Sequence, residues 1–328
     1  MPQDWRQENW PEVSVSVVTY NQAHLIERTL DSILAQQVSF DYEIVVGDDC
    51  STDGTRDILE RYRTRHPDKI RLLLYDQRLP GTPGRQNNMR NPMACRGKYT
   101  ALLDGDDYWI DPHKLQSQYE VMERHPELSI SLHDTRCTMV GSDGKLIPDE
   151  TYLRSDPPER KPAAGFYDHA FFCADRNIRV HTSSFFFRTR IFGDWPQGYE
   201  AVVAADHYFF LLISQRGPAY YDPTVRSVCE AQPASLTRSP AYLSEERVAQ
   251  RIRDLRTYRR RFPATRRTVS YSVFAARHLK WLIFAALRRG KVGRACSWCV
   301  QLLAEPRGLY EMVRHRVSKS IKFHLPHR

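Results

Sequence analysis

The chain has 328 residues, of which 41% are apolar and 27% charged, and its formal net charge is +9. This composition excludes a disordered chain, and the length allows one large domain or two domains of ordinary size. The longest apolar run near the C-terminus, Trp281–Leu287, is far shorter than the ~20 residues that a membrane-spanning helix needs.

Strands and helices alternate over the first hundred residues, which is typical of βαβ units and predicts an α/β fold with a mostly parallel sheet. A helix is predicted over 22–37, with Asn21 as its N-cap, and another after the turn at 48–54. Four apolar segments predict the buried strands of this sheet: Val13–Thr19, Tyr42–Gly47, Ile70–Tyr75 and Tyr99–Leu103.

The rest of the chain continues this mixed pattern. A polar loop over 76–88 leads to a short helix before the fourth strand. Residues 154–162 are rich in proline and charge, so they predict a surface loop or linker. Beyond it, Thr182–Phe187 predicts a further strand, and Val202–Gln215 predicts a helix that carries Asp206.

Three carboxylates follow the fourth strand within four residues: Asp104, Asp106 and Asp107. Crowded acids repel one another unless a cation lies between them. Mg²⁺ takes one or two protein carboxylates and completes its shell with water and substrate phosphates, and open α/β sheets bind ligands at the carboxyl ends of their strands. The cluster therefore predicts an enzyme that holds a divalent metal and a diphosphate, and a solvated acidic turn is the alternative.

Four motifs in this order resemble family 2 glycosyltransferases, which are inverting enzymes with the GT-A nucleotide-sugar-binding fold. The motifs are Val17–Asn21, Asp48–Gly54, Gly97–Tyr99 and Asp104–Asp107. The resemblance covers roughly residues 13–240 and includes the Asp111–Gln116 run and the segment around Asp206. It implies a nucleotide-sugar donor, a divalent metal (Mg²⁺ or Mn²⁺) and a single displacement that inverts the sugar carbon.

The resemblance places the nucleotide pocket at Thr19, Tyr20 and Asn21, with Tyr20 against the base. From the residues alone, a buried threonine and a capping asparagine fit as well. Asp49 is predicted to accept a hydrogen bond from the ring N–H of uracil, which favours a UDP-sugar. The alternative for Asp49 is a cap on the next helix, and we assign a structural role to Asp48.

The resemblance also assigns the metal to Asp106 and Asp104, with Asp104 helping to hold the ribose. Asp107 is a third candidate ligand, and Gly105 is predicted to let the backbone turn tightly. The metal would neutralise the leaving diphosphate as a Lewis acid.

Asp206 matches the position of the family's catalytic base. A carboxylate there would take a proton from an acceptor hydroxyl while that oxygen attacks the anomeric carbon, so it must come within hydrogen-bond distance of the acceptor. His207 is an alternative base because its ordinary pKa lies near neutral pH. A helix-surface acid without function is the other alternative.

Polar residues of two further segments are weaker candidates. Arg85, Asn87 and Arg90, placed in the loop before the fourth strand, are predicted to line the donor site or contact the diphosphate, unless they are only solvated. His181 and the serines at 183–184 either border the acceptor or have a structural role.

One stretch departs from the family pattern. The family often has a Tyr-Arg-x-His-like run after the last core strand, which helps to close over the diphosphate, and Val228–Pro233 lacks its basic and imidazole groups. Arg226 and Arg238 are candidates to replace them. The departure keeps a non-catalytic nucleotide- or glycan-binding module as an alternative function.

A nucleotidyltransferase is disfavoured because residues 20–24 contain no Gly- and Lys-rich phosphate loop.

Charge is distributed unevenly along the chain. Residues 247–328 hold 21 Lys+Arg and 3 Asp+Glu, a net of +18, whereas residues 1–246 carry −9. We therefore predict a catalytic domain over 1–245 and a basic, mainly helical region over 246–328. Apolar and basic residues mix over 273–289, so this region either binds an anionic membrane surface or packs its apolar face on the catalytic domain. No recognised nucleic-acid-binding motif accompanies the charge, and we do not expect a nucleic-acid partner.

The cysteines and the first residues favour a cytoplasmic protein. Residues 1–6 have no apolar stretch of the signal-peptide kind, and the seven scattered cysteines favour reduced thiols. Cys296 and Cys299 have no second pair of zinc ligands nearby in sequence, so we predict buried helix thiols. The expected function is sugar transfer to a glycan or lipid-linked acceptor in polysaccharide or glycoconjugate biosynthesis, at the inner face of the cytoplasmic membrane if the basic region binds lipid.

Overall fold

The structure, a computed structural model, describes residues 9–81, 84–140, 145–148, 161–174, 180–193, 199, 202, 205–231, 244–267 and 269–311. Most of the predicted linker at 154–162, and Arg238, lie outside these residues. The chain forms two compact units. The first comprises Met1–His169, Arg179–Glu200 and Phe209–Gln232, and the second comprises Ala170–Ile178, Ala201–Tyr208 and Pro233–Arg328.

The first unit is built on one mixed sheet. Its described strands are β1 (Val13–Thr19), β2 (Tyr42–Asp48), β3 (Ile70–Leu74), β4 (Tyr99–Asp104), β5 (Tyr108–Trp109), β6 (Ile130–Val140), β7 (Leu146–Pro148), β8 (Gly165–Tyr167), β9 (Phe186–Arg188) and β10 (Ala219–Ala231). Their order is β3-β2-β1-β4-β9-β6-β10-β5, with β7 paired to β6 and β8 paired to β10.

Parallel pairing dominates this sheet. β1 pairs in parallel with β2 and β4, β2 pairs with β3, and β6 pairs with β10, whereas β5, β7, β8 and β9 pair antiparallel. The register sets Thr19 opposite Asp48 and Val18 opposite Asp104. The carboxyl ends of β2, β1 and β4 therefore meet at one edge, and the prediction of a mostly parallel central sheet is confirmed.

Helices connect the strands of this sheet. The described ones up to residue 231 are α1 (Ile26–Leu34), α2 (Thr55–Arg65), α3 (Arg85–Met93), α4 (Lys114–Arg124), α5 (His169–Ala174) and α6 (Ala205–Ser214). The apolar face predicted for the first of them is buried at Ile26, Leu30 and Ile33. These side chains join the alternate valines of β1 in the main core, so burial of the α1 face holds that helix on the sheet.

The first helix is shorter than predicted. It begins at Ile26 rather than at residue 22, and Asn21 is not its N-cap. Asn21 has a φ of 51°, and its Oδ1 accepts a hydrogen bond from the Thr52 backbone N–H at 2.8 Å. The asparagine therefore ties the end of β1 to the loop after β2, and this contact replaces the cap.

The segment predicted as a strand over 182–187 is divided. Thr182–Ser184 forms a short 3₁₀ turn, and β9 begins only at Phe186. The His181 side chain accepts a hydrogen bond from the Ser183 backbone N–H. Such a local bond gives the backbone an alternative to strand pairing, which explains the late start of β9.

The described part of the second unit is mainly helical, as predicted for the basic region. Its longer helices are α7 (Glu245–Arg261), α8 (Val269–Arg288) and α9 (Val292–Leu303). Ser244 caps α7 by accepting a hydrogen bond from the Arg247 backbone N–H at 3.3 Å. No helix among the described residues combines the length and apolar character needed to cross a bilayer.

The prediction that Cys296 and Cys299 are buried is wrong. Both thiols are exposed on α9. This helix buries Ala295 and leaves the following turns largely open to solvent, so the position of a cysteine in sequence does not by itself bury it.

Candidate functional site

Predicted site residues meet at the carboxyl edge of β2, β1 and β4. The Asp49 backbone N–H donates to the carbonyl oxygen of Thr19 at 3.1 Å, and the Gly105 N–H donates to the carbonyl oxygen of Val18 at 2.9 Å. These bonds extend the pairing of the strands by one residue on each side. They bring the first strand's end, Asp49 and the acid cluster to one edge of the sheet, as the parallel topology requires.

Asp104 and Asp106 are half-buried at this edge. The Thr182 hydroxyl donates to Oδ2 of Asp104 at 3.0 Å. Burial, and then the negative charge of Asp107, raise the pKa of Asp106 to about 7. Among the described residues Asp106 has no ion pair with a lysine or arginine, so this carboxylate is short of compensating positive charge.

That shortage bears on whether these residues suit a divalent cation. Two half-buried carboxylates with a Gly between them offer the hard oxygen ligands that Mg²⁺ and Mn²⁺ prefer. A cation there would reverse the repulsion that raises the Asp106 pKa. The residues present therefore fit the metal, and Asp104 and Asp106 are the ones that would hold it.

Asp107 points to the interior. It is buried, burial raises its pKa, and its Oδ2 accepts a hydrogen bond from the Ser183 hydroxyl. The same oxygen lies 3.5 Å from Nδ1 of His181. Asp107 is thus engaged with the turn before β9, and its part as a third metal ligand stays a prediction. His181 and Ser183 contact this acid, a role their sequence positions did not predict.

Gly105 is required for close packing rather than for an unusual backbone angle. Its φ is not positive. A Cβ at this position would overlap Oε1 of Gln22 and lie 3.0 Å from both the Val18 carbonyl oxygen and the Thr19 Cβ. The acid cluster can therefore lie against the end of β1 only because residue 105 has no side chain.

An arginine that the sequence analysis did not single out contacts both residues predicted to bind the nucleotide base, Tyr20 and Asp49. The Arg78 guanidinium lies over the Tyr20 ring, 3.5 Å from its centroid, and its Nη1 is 3.4 Å from Oδ2 of Asp49. Asp49 is buried, and its Oδ1 accepts a hydrogen bond from the Leu79 backbone N–H at 2.8 Å. Arg78 lies in the polar loop after β3, which contains no recognised motif, so nothing in the sequence marked this arginine as part of the site.

Thr19 is buried, and its hydroxyl donates to Oε1 of Gln22 at 2.7 Å. The neighbouring acids Asp48 and Asp53 have structural partners. Asp48 accepts hydrogen bonds from the Ser51 N–H and Arg56 Nε, and Asp53 accepts from Ala23 N. These contacts fix the turn between β2 and α2, in agreement with the structural role predicted for Asp48.

Arg85 and Asn87 are not in a solvated loop, and that part of the prediction is wrong. Both lie in the first turn of α3, and both are buried. The Asn87 Nδ2 donates to the Gly47 carbonyl oxygen at 2.7 Å, and the Arg85 guanidinium lies 4.9 Å from the centroid of the Tyr199 ring. The bond from Asn87 to Gly47 holds α3 against β2, so Asn87 has a structural role. That Arg85 or Asn87 contacts a nucleotide-sugar stays a prediction.

Asp206 and His207 lie in the second unit, in the first turn of α6. Asp206 is exposed. His207 is half-buried, and its Nε2 is 2.8 Å from the Tyr271 hydroxyl, while its ring stacks on Tyr258 at 5.6 Å. Of the two alternative bases, the carboxylate is therefore the more accessible side chain.

The stretch that departs from the family pattern holds no basic side chain in its described part, 228–231. Glu230 pairs with Arg28 at 2.7 Å. Arg226, a predicted replacement for the missing basic group, is already paired with Asp111 and with Asp222. Arg238, the other candidate, lies outside the described residues.

Comparison with known proteins gives a consistent match. The profile described as "Glycosyl transferase family 2" matches residues 14–190. The chain is 35% identical over 137 residues to the putative teichuronic acid biosynthesis glycosyltransferase TuaG of Bacillus subtilis, covering 42% of this chain and 51% of that protein. Across the curated relatives the chain spans between 24% and 51% of their length.

Two groups of solved structures share the fold. The mannosyltransferase PcManGT from Pyrobaculum calidifontis, in complex with GDP-Man and Mn²⁺, has a TM-score of 0.56 at 19% identity, covering 94% of this chain and 87% of that one. S. aureus TarS 1-349 in complex with UDP-GlcNAc has a TM-score of 0.51 at 15% identity, covering 88% and 90%. At these identities the likeness concerns the fold alone.

Proposed function

This chain belongs to glycosyl transferase family 2, and we propose that it transfers a sugar from a nucleotide-sugar donor, with inversion, to a glycan or lipid-linked acceptor. The observation that carries the proposal is the acid pair Asp104 and Asp106 at the sheet edge beside the end of β1, where burial and the charge of Asp107 raise the pKa of Asp106. A divalent cation has the positive charge that these acids lack, and it would also attract the anionic diphosphate of a nucleotide to this edge. We place this transfer in polysaccharide or glycoconjugate biosynthesis because the chain is similar to TuaG, a putative glycosyltransferase of teichuronic acid biosynthesis.

A UDP-sugar is the favoured donor in this proposal. Buried Asp49 could accept the ring N–H of uracil, and Tyr20 is 41% exposed, so its ring offers a face to a base. TarS, whose fold this chain shares, has been solved with UDP-GlcNAc, whereas PcManGT has been solved with GDP-Man. Those ligands were bound by those two proteins, so the preference for uridine in this chain rests on Asp49.

The proposed mechanism is one direct displacement. A bound Mg²⁺ or Mn²⁺ would supply Lewis-acid neutralisation of the leaving diphosphate. Asp104 and Asp106 would hold it, with Asp104 kept in place by the Thr182 hydroxyl. Asp206 would take the proton from the acceptor hydroxyl as that oxygen attacks the anomeric carbon. No protein nucleophile is needed, because a single attack inverts the carbon.

We further propose that residues 1–245 form the catalytic domain and that residues 246–328 contact an anionic membrane surface. On α8, Trp281 and Phe284 are exposed and lie on the face that also carries Arg288, as spacings of three and seven residues require. Leu279 and Leu282 of α8 are buried, whereas the large apolar side chains of Trp281 and Phe284 are open to a lipid surface. Liposomes with and without anionic lipid test the contact, and equal sedimentation at low salt would contradict it.

The decisive test of the main proposal is binding of UDP, GDP and dTDP by calorimetry, with and without Mn²⁺. We expect one nucleotide to bind with Mn²⁺ and to bind far more weakly without it. Asp106→Asn should remove the Mn²⁺ dependence, whereas Asp57→Asn, at an exposed acid of α2, should preserve it. Equal binding by the Asp106 variant would contradict the proposal. Binding without hydrolysis or transfer of any donor would favour the non-catalytic module that the 228–233 stretch keeps open.

A further inference from the structure

A second group of side chains of the kind that bind metals does not include Asp104 or Asp106. Cys137 is on β6 and Cys229 on β10, and the two residues are direct partners in the parallel register. His181 precedes the 3₁₀ turn that leads into β9, the other neighbour of β6. One ligand atom from each of these three residues lies within 4.8 Å of the other two. Three segments far apart in sequence thus bring two thiols and an imidazole together.

The donor set selects the type of metal. Thiolate and imidazole are ligands for zinc rather than for Mg²⁺ or Mn²⁺, which prefer oxygen. Zinc binds sulfur at about 2.3 Å and nitrogen at about 2.0–2.1 Å, so tetrahedral ligand atoms lie roughly 3.5–3.8 Å apart. The three ligand atoms all lie within 4.8 Å of one another, so movement of these side chains can bring them onto one ion. We propose that Cys137, His181 and Cys229 bind a Zn²⁺ ion at a site distinct from the Asp104–Asp106 pair.

The chemistry of metal binding at these side chains is simple, because cysteine binds a metal as the thiolate and histidine binds it as the neutral imidazole. Zinc binding would replace two S–H bonds by two Zn–S bonds and release two protons to solvent, with no change in oxidation state.

Asp107 completes the surroundings of the site. A metal-bound histidine commonly donates its other ring N–H to a carboxylate, and this hydrogen bond fixes the orientation of the ring. In this chain Oδ2 of Asp107 is 3.5 Å from Nδ1 of His181. The same turn carries Thr182, whose hydroxyl donates to Asp104. A zinc ion there would tie β6 and β10 to the turn that holds Asp104 and Asp107. Its role is positioning: it would fix the acid cluster without contacting the donor.

The test measures the metal directly on the full-length protein, purified under reducing conditions from zinc-supplemented medium. We expect about one zinc ion per chain by inductively coupled plasma mass spectrometry. When Co²⁺ replaces the zinc, we expect a thiolate-to-cobalt charge-transfer band in the absorption spectrum. Cys137→Ser and Cys229→Ser should lose the zinc and the band. The double variant Cys296→Ser, Cys299→Ser is the matched control, because both thiols are exposed on α9, and it should keep both.

Two results would overturn the inference. One is a folded wild-type protein that holds no zinc and gives no thiolate–cobalt band. This result is measured on the wild type alone, so it does not depend on whether any variant folds. The other is a Cys137–Cys229 disulfide under the reducing conditions, seen as two fewer titratable thiols than the seven in the sequence. The outcome is independent of the proposed function: Asp106→Asn should lose Mn²⁺-dependent nucleotide binding and still hold zinc.

Discussion

The Arg78 guanidinium lies 3.5 Å from the centroid of the Tyr20 ring and simultaneously 3.4 Å, through Nη1, from the buried carboxylate of Asp49. One cation thus links the exposed aromatic side chain at the end of β1 with the acid that follows β2. Tyr20 and Asp49 are the two residues proposed to contact the base. Backbone pairing already brings the two segments together, and Arg78 adds a side-chain contact to each of these two residues.

Replacing Arg78 by alanine should weaken nucleotide binding. The change removes a cation–π contact and the ion pair of a buried carboxylate, and we expect about a tenfold rise in Kd for UDP, ~1.4 kcal/mol. Calorimetry with Mn²⁺ measures it. Arg63→Ala is the control, because Arg63 is exposed and pairs only locally with Glu60 on α2. An unchanged Kd for the Arg78 variant would show that the cluster lies outside the nucleotide pocket.

Sequence patterns predicted the framework of this site but not its contacts. β1 and β2 were predictable because they are short, β-branched and apolar, and burial on both faces of a parallel sheet selects that composition. Their carboxyl ends then had to share an edge. Arg78 gave no such signal, because an arginine in a polar loop looks the same whether it is solvated or stacked on a ring.

Gly105→Ala should destabilise the first unit. The added methyl would overlap Gln22 Oε1 and crowd the carbonyl oxygen of Val18 within β1. Overpacking of this kind costs ~1–3 kcal/mol, and we expect the midpoint of urea unfolding to fall accordingly. Gly293→Ala is matched to it, because a Cβ there meets open space on α9 and should leave stability unchanged or raise it. Equal midpoints for both variants would refute the packing argument.

Asp206→Asn should abolish transfer and spare donor binding. The amide keeps the size of the side chain but cannot accept a proton, so we expect turnover to fall ~10²–10⁴-fold while the Kd for UDP stays unchanged. Glu246→Gln controls for loss of an exposed acid in the first turn of a helix of the same unit. Retained turnover in the Asp206 variant would remove the carboxylate from the mechanism and return attention to His207.

At Asn21 a long-range side-chain contact overruled a local pattern. Asn21 fits an N-cap by position, but its side chain bonds to Thr52, thirty-one residues later, and the helix starts further on. Cys137 and Cys229 are brought together by strand register, which sequence spacing does not reveal. By contrast, Cys296 and Cys299 have a metal-like spacing and lie exposed on α9.

Lys114 is a buried cation whose replacement should stabilise the protein. Its side chain is fully buried at the start of α4, and its Nζ has no hydrogen-bond partner among the described residues. The amine lies 3.9 Å from the centroid of the Trp109 ring, and burial, followed by the positive charge of Arg226, lowers the pKa of Lys114 well below its ordinary value. Folding must therefore neutralise or desolvate this amine at neutral pH. Lys114→Met keeps the unbranched shape and removes the charge, and we expect a gain of ~1–4 kcal/mol.

The gain from Lys114→Met should also depend on pH. Between the lowered pKa of Lys114 in the folded chain and about 10.4 in the unfolded chain, only the unfolded chain holds the proton, so wild-type stability rises with pH. The methionine variant lacks this term, and its advantage should shrink from pH 7 to pH 10. Urea unfolding of both proteins across that range measures the difference. Lys114→Arg, which keeps the charge, should gain nothing, and a methionine variant less stable than wild type at pH 7 would show that the amine has a stabilising partner.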